Sequence, residues 1–244
     1  MRFCVTYTDS HQPFFEKHFI KSFPFEEDVS LVLEKMPQKC QQGRLFSEGW
    51  RDQMIEKQKF INRCLTTFFL DEILVFSDVD VRFYGNVKDD LIECLGDHDI
   101  AFMKDHNSDE VGRCGGFFIL KSCDKIRGLF SEVLSILQSF DPNDPTSFET
   151  SEQQTINSVL RRRTDVRWKY LPPRYYTHGL YTQGLENFTE QNQSGLWWEN
   201  KSSTERDKMF IAQDLKVHHA NWSSGIDNKL ELLDFVLKQR GVCE

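Results

Sequence analysis

Short apolar runs alternate with amphipathic stretches along the chain. The runs are rich in β-branched and aromatic residues and predict strands over 3–8, 29–33, 72–77, 81–84, 99–103, 115–120 and 166–171. Apolar positions at helical spacing predict helices over 50–65, 86–95, 126–140 and 226–238, and a further helix begins after Ser151. Strands that alternate with helices indicate a mainly parallel α/β sheet with right-handed crossovers.

Two serines are typical helix N-caps, and two polar stretches predict loops. Ser47 precedes the first long helix, and Ser151 precedes the helix that carries Gln154 three residues later. Residues 141–145 combine aspartate, asparagine and proline and predict a loop. Residues 184–208 lack periodicity, and we interpret them as a loop or lid inside one domain that spans 1–244.

Length and charge limit the function classes. The 244 residues allow one large domain with a substantial core, and the 21 phenylalanines argue against disorder. The net charge of −8 argues against a nucleic-acid partner, since non-specific binding to phosphates needs clustered basic charge. Since the chain contains no apolar stretch of about 18 residues, we predict no transmembrane segment.

The seven cysteines are dispersed without a Cys-x-x-Cys pair, which argues against a disulfide framework or a structural zinc site. The N-terminal sequence is too short and too polar for a signal peptide. The four Asn-x-Ser/Thr sequons would matter only in a secretory lumen. We therefore expect free, buried thiols and a cytoplasmic location.

The sequence Asp78-Val79-Asp80 follows the apolar run 72–77. Ligands of open α/β sheets bind at the carboxyl ends of the strands, where this turn lies. Two carboxylates one residue apart can bind one divalent cation, and their hard oxygens suit Mn²⁺ or Mg²⁺, which bridge the oxygens of a diphosphate. The alternative is a pair of solvated turn aspartates, because Asp-x-Asp is short and common.

A second polar set lies late in the chain, at His218-His219-Ala220-Asn221-Trp222, followed by Gly225 and Lys229. An imidazole can complete a metal site with two aspartates, because Mn²⁺ accepts mixed nitrogen and oxygen ligands. Glycine allows a phosphate to approach the backbone, and lysine supplies a point charge for it. Alternatively, adjacent histidines serve as packing or surface residues.

In their order along the chain, these segments resemble the nucleotide-diphospho-sugar transferase family, GT-A-fold glycosyltransferases related to retaining galactosyl- and xylosyltransferases. The resemblance extends from Phe3 to about Lys238 and includes the middle segment Glu152-Gln153-Gln154-Thr155-Ile156-Asn157. It implies a GT-A-like α/β fold, a mostly parallel sheet flanked by helices in a single domain. It also implies a hexosyl- or pentosyltransferase that depends on Mn²⁺ or Mg²⁺.

The resemblance also implies roles for individual residues. Asp78 and Asp80 would bind the metal, with His219 as the third protein ligand and His218 in reserve. Lys57 matches a basic position that faces the donor, although a solvated helix lysine is the alternative. The remaining expected donor contacts are Thr6, Tyr7, Thr8 and Asp9 in and after the first strand, together with Val79, Gly116, Gly225 and Lys229.

Glu152 and Gln153 resemble the family's Asp-Gln pair, which borders donor and acceptor, and are the candidate catalytic residues. Gln153 has no basic side chain, so it suits orientation or charge stabilisation. The alternative is an exposed helix start, where Glu and Gln are common. Cys114 and Gly115 depart from the family pattern, which often has a polar residue there.

The resemblance further implies the partners, a nucleotide-sugar donor and a hydroxyl acceptor on a glycan or glycoprotein. UDP is the nucleotide by family habit, with GDP open, and the family relationship favours retention. Two other classes stay open at this point. A haloacid-dehalogenase-type phosphatase would use Asp78 as nucleophile and Asp80 as acid. A non-catalytic sugar-binding module would use Trp197-Trp198, which could otherwise form an acceptor site or pin the loop to the core.

Overall fold

The computed structural model describes residues 1–41, 47–106, 110–140, 151–177, 197–207, 209 and 211–241. The strands are β1 (Arg2–Tyr7), β2 (Ser30–Lys35), β3 (Ile73–Ser77), β4 (Val81–Phe83), β5 (Ile100–Lys104), β6 (Arg113–Lys121), β7 (Trp168–Tyr170), β8 (Tyr175–Thr177) and β9 (Val217–His219). The helices are α1 (Gln12–Phe14), α2 (Ile20–Ser22), α3 (Trp50–Thr67), α4 (Lys88–Leu95), α5 (Asp124–Ser139), α6 (Glu152–Arg162), α7 (Ser203–Asp207) and α8 (Ile226–Gln239).

The nine strands of the described residues form one sheet in the order β2-β1-β3-β6-β5-β8-β9-β4, and β7 pairs with β5 beside this path. The pairing directions show that β4 and β6 run opposite to the other seven strands. The predicted mainly parallel α/β sheet is therefore confirmed. The carboxyl ends of β1, β3, β5, β8 and β9 lie at one edge of the sheet, together with the start of β6.

The short connection from β3 to β4 makes the sheet curl. Only Asp78, Val79 and Asp80 separate these strands, yet four other strands lie between them in the sheet order. The pairing of Val81 with His219 then brings β9 beside this connection. The Ala220 N–H donates to the Asp80 carbonyl at 2.9 Å, which holds the two segments together.

The sheet is buried on both faces, which explains the nearly continuous apolar runs of β3 and β6. Alternate residues of β6 contribute to two different core clusters: Phe117 packs with α4 and α8, and Phe118 packs with α3, α5 and α6. The same alternation in β1 sends Phe3 and Cys4 to opposite faces. The core therefore fixes the register of the strands whose ends carry the polar residues.

The capping prediction is confirmed for one serine and wrong for the other. Ser151 and Gln154 form a reciprocal capping box, with N–H···O distances of 3.1 and 2.7 Å. Ser47 is not an N-cap, because α3 begins at Trp50 and Gly49 occupies the cap with a φ of 75°. A Cβ at Gly49 would collide with the backbone carbonyl of Lys39, so the close approach of these two backbone segments requires glycine.

Most other boundaries differ from the predicted ones by one to three residues. The short strands β8 and β9 were not predicted, because three residues carry too little periodicity. The predicted loop over 141–145 and most of the predicted loop over 184–208 lie outside the described residues. The six described cysteines are free thiols, and Cys243 lies outside the described part. Among the described helices, none has the length and apolar composition needed to cross a membrane.

Candidate active site

A cavity of about 510 Å³ opens at the edge of the sheet where β1, β3, β5 and β9 end. Side chains and backbone from all these strand ends line it, together with the starts of β6, α6 and α8. Thirteen of the fifteen residues predicted from the sequence to form the site, counting His218, line this cavity. The exceptions are Asp9 and His218. This location agrees with the rule that ligands of α/β sheets bind at strand carboxyl ends.

Asp78, Asp80 and His219 converge on one point in the cavity. One ligand atom from each lies within 4.8 Å of the others. His219 Nε2 lies 3.3 Å from Asp80 Oδ1 and 3.9 Å from Asp78 Oδ2. His218 points to the opposite side of β9, where its ring lies 5.3 Å from that of Tyr176. The strand alternation therefore selects His219 rather than the reserve candidate His218.

Gly116 lies directly behind this cluster. A Cβ there would lie 2.6 Å from Asp78 Oδ2 and closer still to His219 Cε1. The absence of a side chain at Gly116 is therefore what allows the two polar side chains to meet. Cys114, two residues earlier on the same face of β6, places its Sγ 3.5 Å from His219 Nδ1 and orients the imidazole from behind.

Two lysines approach the aspartates from different helices. Lys57 on α3 is buried, and its Nζ lies 2.6 Å from Asp78 Oδ1, 3.2 Å from Glu152 Oε2 and 3.1 Å from the Gly115 carbonyl oxygen. Burial alone would lower the pKa of Lys57, but the two carboxylates outweigh it and raise the pKa. The alternative of a solvated helix lysine is thus excluded. Lys229 on α8 pairs with Asp80.

The residues present suit a divalent cation. Two carboxylates and one imidazole form the oxygen and nitrogen donor set that Mn²⁺ accepts, and the Gly116 backbone leaves room beside them. Burial raises the pKa of Asp80, but Lys229 and His219 outweigh this effect and hold the pKa well below its usual value. Asp80 is therefore a carboxylate at neutral pH, as a metal ligand must be.

The start of α6 faces inward. Glu152 is 4 % exposed and accepts hydrogen bonds from Lys57 and Gln58, so the alternative of an exposed helix start is wrong for this residue. Gln153 bridges two strands: its Oε1 accepts the Gly115 N–H at 3.0 Å, and its Nε2 donates to Asp105 Oδ2 at 2.8 Å. Both side chains border the cavity.

The end of β1 contributes Thr6, Tyr7 and Thr8 to the cavity lining. Asp9, predicted as a donor contact, instead lies at the surface and pairs with Lys35 at 2.6 Å, since the chain turns outward after Thr8. His11 lines the cavity in its place and was not singled out from the sequence. Its Nδ1 lies 2.9 Å from Thr8 Oγ1, and burial lowers its pKa.

The predicted phosphate-binding residues lie on the opposite wall. Gly225 is the N-cap of α8 with a φ of 82°, and its carbonyl accepts the Lys229 N–H at 3.3 Å, so glycine and lysine share the first turn of this helix. Both residues line the cavity. Val79, which separates the two aspartates in the sequence, also borders the cavity. Its side chain packs in the core.

Asp105, which was not predicted from the sequence, organises the far side of the cavity. It is 3 % exposed and follows β5 as Asp78 follows β3, so its position after an apolar strand was an available signal. Its Oδ1 accepts hydrogen bonds from Asn221 Nδ2 and Trp222 Nε1, each at 2.9 Å. Asp105 therefore joins the ends of β5 and β9 to the start of α6.

The two adjacent tryptophans have different environments. Trp198 is fully buried, packs against Phe235 and donates from Nε1 to Glu231 at 3.1 Å, so it anchors the chain to α8. Trp197 lines the cavity and lies edge-to-face against Trp222, with ring centroids 5.7 Å apart. Trp198 therefore belongs to the core, whereas Trp197 borders the cavity.

Several solved structures with a similar fold are glycosyltransferases. The fold is similar to that of the apo glycosyltransferase GlyE from Streptococcus pneumoniae TIGR4, with a TM-score of 0.54, 13 % identity and coverage of 97 % of this chain and 60 % of that one. A glycosyltransferase involved in glycosylation of the major capsid of PBCV-1 matches with a TM-score of 0.59, 9 % identity and coverage of 95 % and 98 %. Mouse xyloside xylosyltransferase 1 in its apo form matches with a TM-score of 0.51 and 9 % identity. The match covers 90 % of this chain and 97 % of that one.

These similarities define the class of the fold, which is GT-A. A model of the nucleotide-diphospho-sugar transferase family matches residues 38–233, and the chain therefore belongs to this family of glycosyltransferases. The matched region contains the aspartate pair, the start of α6 and the His219 segment. The chain spans 60 % of the length of the streptococcal structure. The comparison with curated proteins gave no match.

Proposed function

We propose that this protein transfers a sugar from a nucleoside-diphosphate donor, with UDP as the nucleotide, to a hydroxyl group of a glycan or glycoprotein. The observation that carries the proposal is the convergence of Asp78, Asp80 and His219 in a cavity that two lysines also reach. Family membership supports the class of reaction. The choice of donor, metal and acceptor is part of this proposal.

The cluster of Asp78, Asp80 and His219 would hold Mn²⁺ or Mg²⁺. When bound, the cation supplies positive charge to the diphosphate as it leaves. Lys229 and the first turn of α8 add a second cationic wall beside Asp80. Because these groups are fixed by the fold before a ligand arrives, they stabilise developing negative charge without reorganising.

The sugar would lie between Lys57 and Gln153. Lys57 is held by Asp78 and Glu152, so this buried ion-pair cluster fixes its ammonium group at the cavity wall. The Gln153 amide is held on both sides, by the Gly115 N–H and by Asp105. Such fixed polar groups suit orientation of an oxocarbenium-like sugar more than proton transfer.

The state of the carboxylates favours retention. In the part of the chain that the structure describes, carboxylates that line the cavity are held by other groups: Asp78 by Lys57, Asp80 by Lys229, Asp105 by three donors, and Glu152 by Lys57 and Gln58. An inverting reaction needs a general base beside the acceptor. In the retaining route, the acceptor oxygen bonds to the anomeric carbon, the bond to the diphosphate breaks, and the leaving phosphate takes the proton.

The class of reaction is tested by incubating the protein with a panel of UDP- and GDP-sugars and Mn²⁺ or Mg²⁺, with water as the acceptor. We expect slow hydrolysis of at least one donor, measured as release of the free nucleoside diphosphate, and loss of that activity with EDTA. Asp80→Ala removes one proposed ligand, and we expect hydrolysis to fall by at least about 100-fold, in line with loss of a main charge-stabilising group.

Phe69→Ala is the matched control, because Phe69 is 82 % exposed and does not line the cavity. It should hydrolyse the donor at the wild-type rate. Hydrolysis that survives EDTA and the Asp80 substitution would contradict the metal-dependent assignment. Binding of a nucleotide sugar without any turnover would instead indicate a sugar-binding module.

A further inference from the structure

Three aromatic rings cluster on one wall of the cavity. His106, Trp197 and Trp222, here called the aromatic cluster, all line it. The ring centroids of Trp197 and Trp222 are 5.7 Å apart at 67°, and those of His106 and Trp222 are 5.9 Å apart at 34°. Trp222 touches both other rings and is therefore the central member of the aromatic cluster.

The indole of Trp222 is held in place from its polar edge. Its Nε1 donates to Asp105 Oδ1 at 2.9 Å, and Asp105 is itself buried. The second carboxylate oxygen of Asp105 accepts from Gln153, which borders the proposed sugar position. One side chain thus couples the orientation of the central ring to that of the candidate catalytic amide.

The backbone at Trp222 supports the same interpretation. Its φ of 58° lies in the left-handed region, which is strained for a residue with a large side chain. The Trp198 N–H holds this conformation by donating to the Trp222 carbonyl at 2.8 Å. A strained backbone that is retained at a cavity wall, with its indole fixed, points to a functional constraint on that ring.

The aromatic cluster lies on the side of the cavity away from β1. Asp105 and His106 follow β5, whereas Thr6 and Thr8 lie at the end of β1, and β3 with its aspartates lies between these two strands in the sheet. The expected nucleoside contacts are on the β1 side. The β5 side therefore remains for the second substrate.

We propose that the aromatic cluster is the acceptor subsite and that the acceptor is a saccharide whose C–H face stacks on Trp222 and Trp197. The assignment of this subsite to the acceptor rests on the proposed function, but binding of a saccharide to it does not require turnover. A sugar presents an apolar face and a rim of hydroxyl groups. The rings of the aromatic cluster suit the apolar face, and the fixed Asp105 and Gln153 side chains beside them suit the hydroxyl groups. The acceptor hydroxyl would then face the position of the donor sugar.

Saturation-transfer NMR tests the subsite without a donor. The probes are the methyl α- and β-glycosides of xylose, glucose, galactose, mannose and fucose, with N-acetylserine methylamide as a peptide-like probe. We expect at least one glycoside to receive saturation, strongest on the C–H protons of one ring face. We expect no saturation of the serine probe.

Two variants and one control identify the contact. Trp222→Asn removes the ring and suits the left-handed backbone, because Asn tolerates a positive φ. Trp197→Ala removes the second ring. Each variant should weaken glycoside binding by about tenfold, the loss of a single aromatic stacking contact. Phe69→Ala removes an exposed aromatic ring that does not line the cavity and should bind like the wild type.

The outcomes separate the two proposals. No saturation of any glycoside, or equal saturation in wild type and Trp222→Asn, overturns the subsite. Saturation of the serine probe alone overturns the saccharide assignment in favour of a peptide acceptor. If glycosides bind to the aromatic cluster but the protein hydrolyses no nucleotide sugar, the saccharide subsite is supported and the transferase assignment is contradicted.

Discussion

At the scale of single residues, the geometry of the candidate metal site depends on a side chain that is absent. Gly116 and Gly115 are neighbours at the start of β6, but only Gly116 lies behind Asp78 and His219. A Cβ at Gly115 would be at least 3.6 Å from the nearest atoms, which belong to Gln153 and are in ordinary contact at that distance. The two glycines therefore form a natural pair for mutagenesis.

We predict that Gly116→Ala abolishes metal-dependent nucleotide binding, because the new methyl group would displace the Asp78 and His219 side chains from each other. Gly115→Ala should bind normally. Isothermal titration of each variant with Mn²⁺ and UDP measures the effect, and circular dichroism checks that both variants are folded. Equal binding by both alanine variants would show that Gly116 does not shape the site.

At the scale of elements, one polar cluster ties α4 to β8, the strand beside β9. Arg174 places Nε 3.0 Å from Asp90 Oδ2 and Nη2 2.9 Å from Asp90 Oδ1, and the Tyr175 hydroxyl also donates to Asp90. Burial raises the pKa of Asp90, but the hydrogen bonds from Arg174 and Tyr175 outweigh it and lower the pKa below its usual value. The charged form is therefore stabilised by folding.

Asp90→Asn should lower the free energy of unfolding by about 1–2 kcal/mol at pH 7, because it removes the charge from this cluster. A lowered folded-state pKa stabilises the protein above the unfolded-state value of about 4, and this contribution is lost as the pH falls through the folded-state pKa. The difference between wild type and variant should thus shrink below about pH 4, as measured by urea unfolding. Asp89→Asn, at an exposed neighbouring position in α4, should show neither effect.

How far the sequence predicts these elements depends on periodicity. The long helices and the strands β1, β3, β5 and β6 carry apolar patterns that locate them within a few residues. Such patterns hold no information on strand direction, so the reversal of β6 was not predictable. The aspartate pair and the two adjacent histidines were recognisable as local motifs, and the family resemblance favoured His219 over His218. The Asp105–Trp222 contact was not predictable, because a single aspartate after a strand does not indicate which distant side chain it will meet.

At the scale of the whole molecule, the candidate site is a product of sheet closure. Asp80 and Lys229 are 149 positions apart, and they meet because β4 and β9 pair after the sheet has curled. A metal with a nucleoside diphosphate would therefore bind the folded protein and not the unfolded chain. By mass action, such a ligand at 100 times its Kd stabilises the native state by about 2.7 kcal/mol.

The most direct test of the account is the melting temperature of the protein with UDP and with GDP, each with and without Mn²⁺. We predict that one nucleotide raises the melting temperature only when Mn²⁺ is present, and that Asp80→Ala, although folded, shows no Mn²⁺-dependent increase. If neither nucleotide changes the melting temperature of the wild-type protein in the presence of Mn²⁺ or Mg²⁺, the assignment of this cavity to a metal-bound nucleotide-sugar donor is wrong.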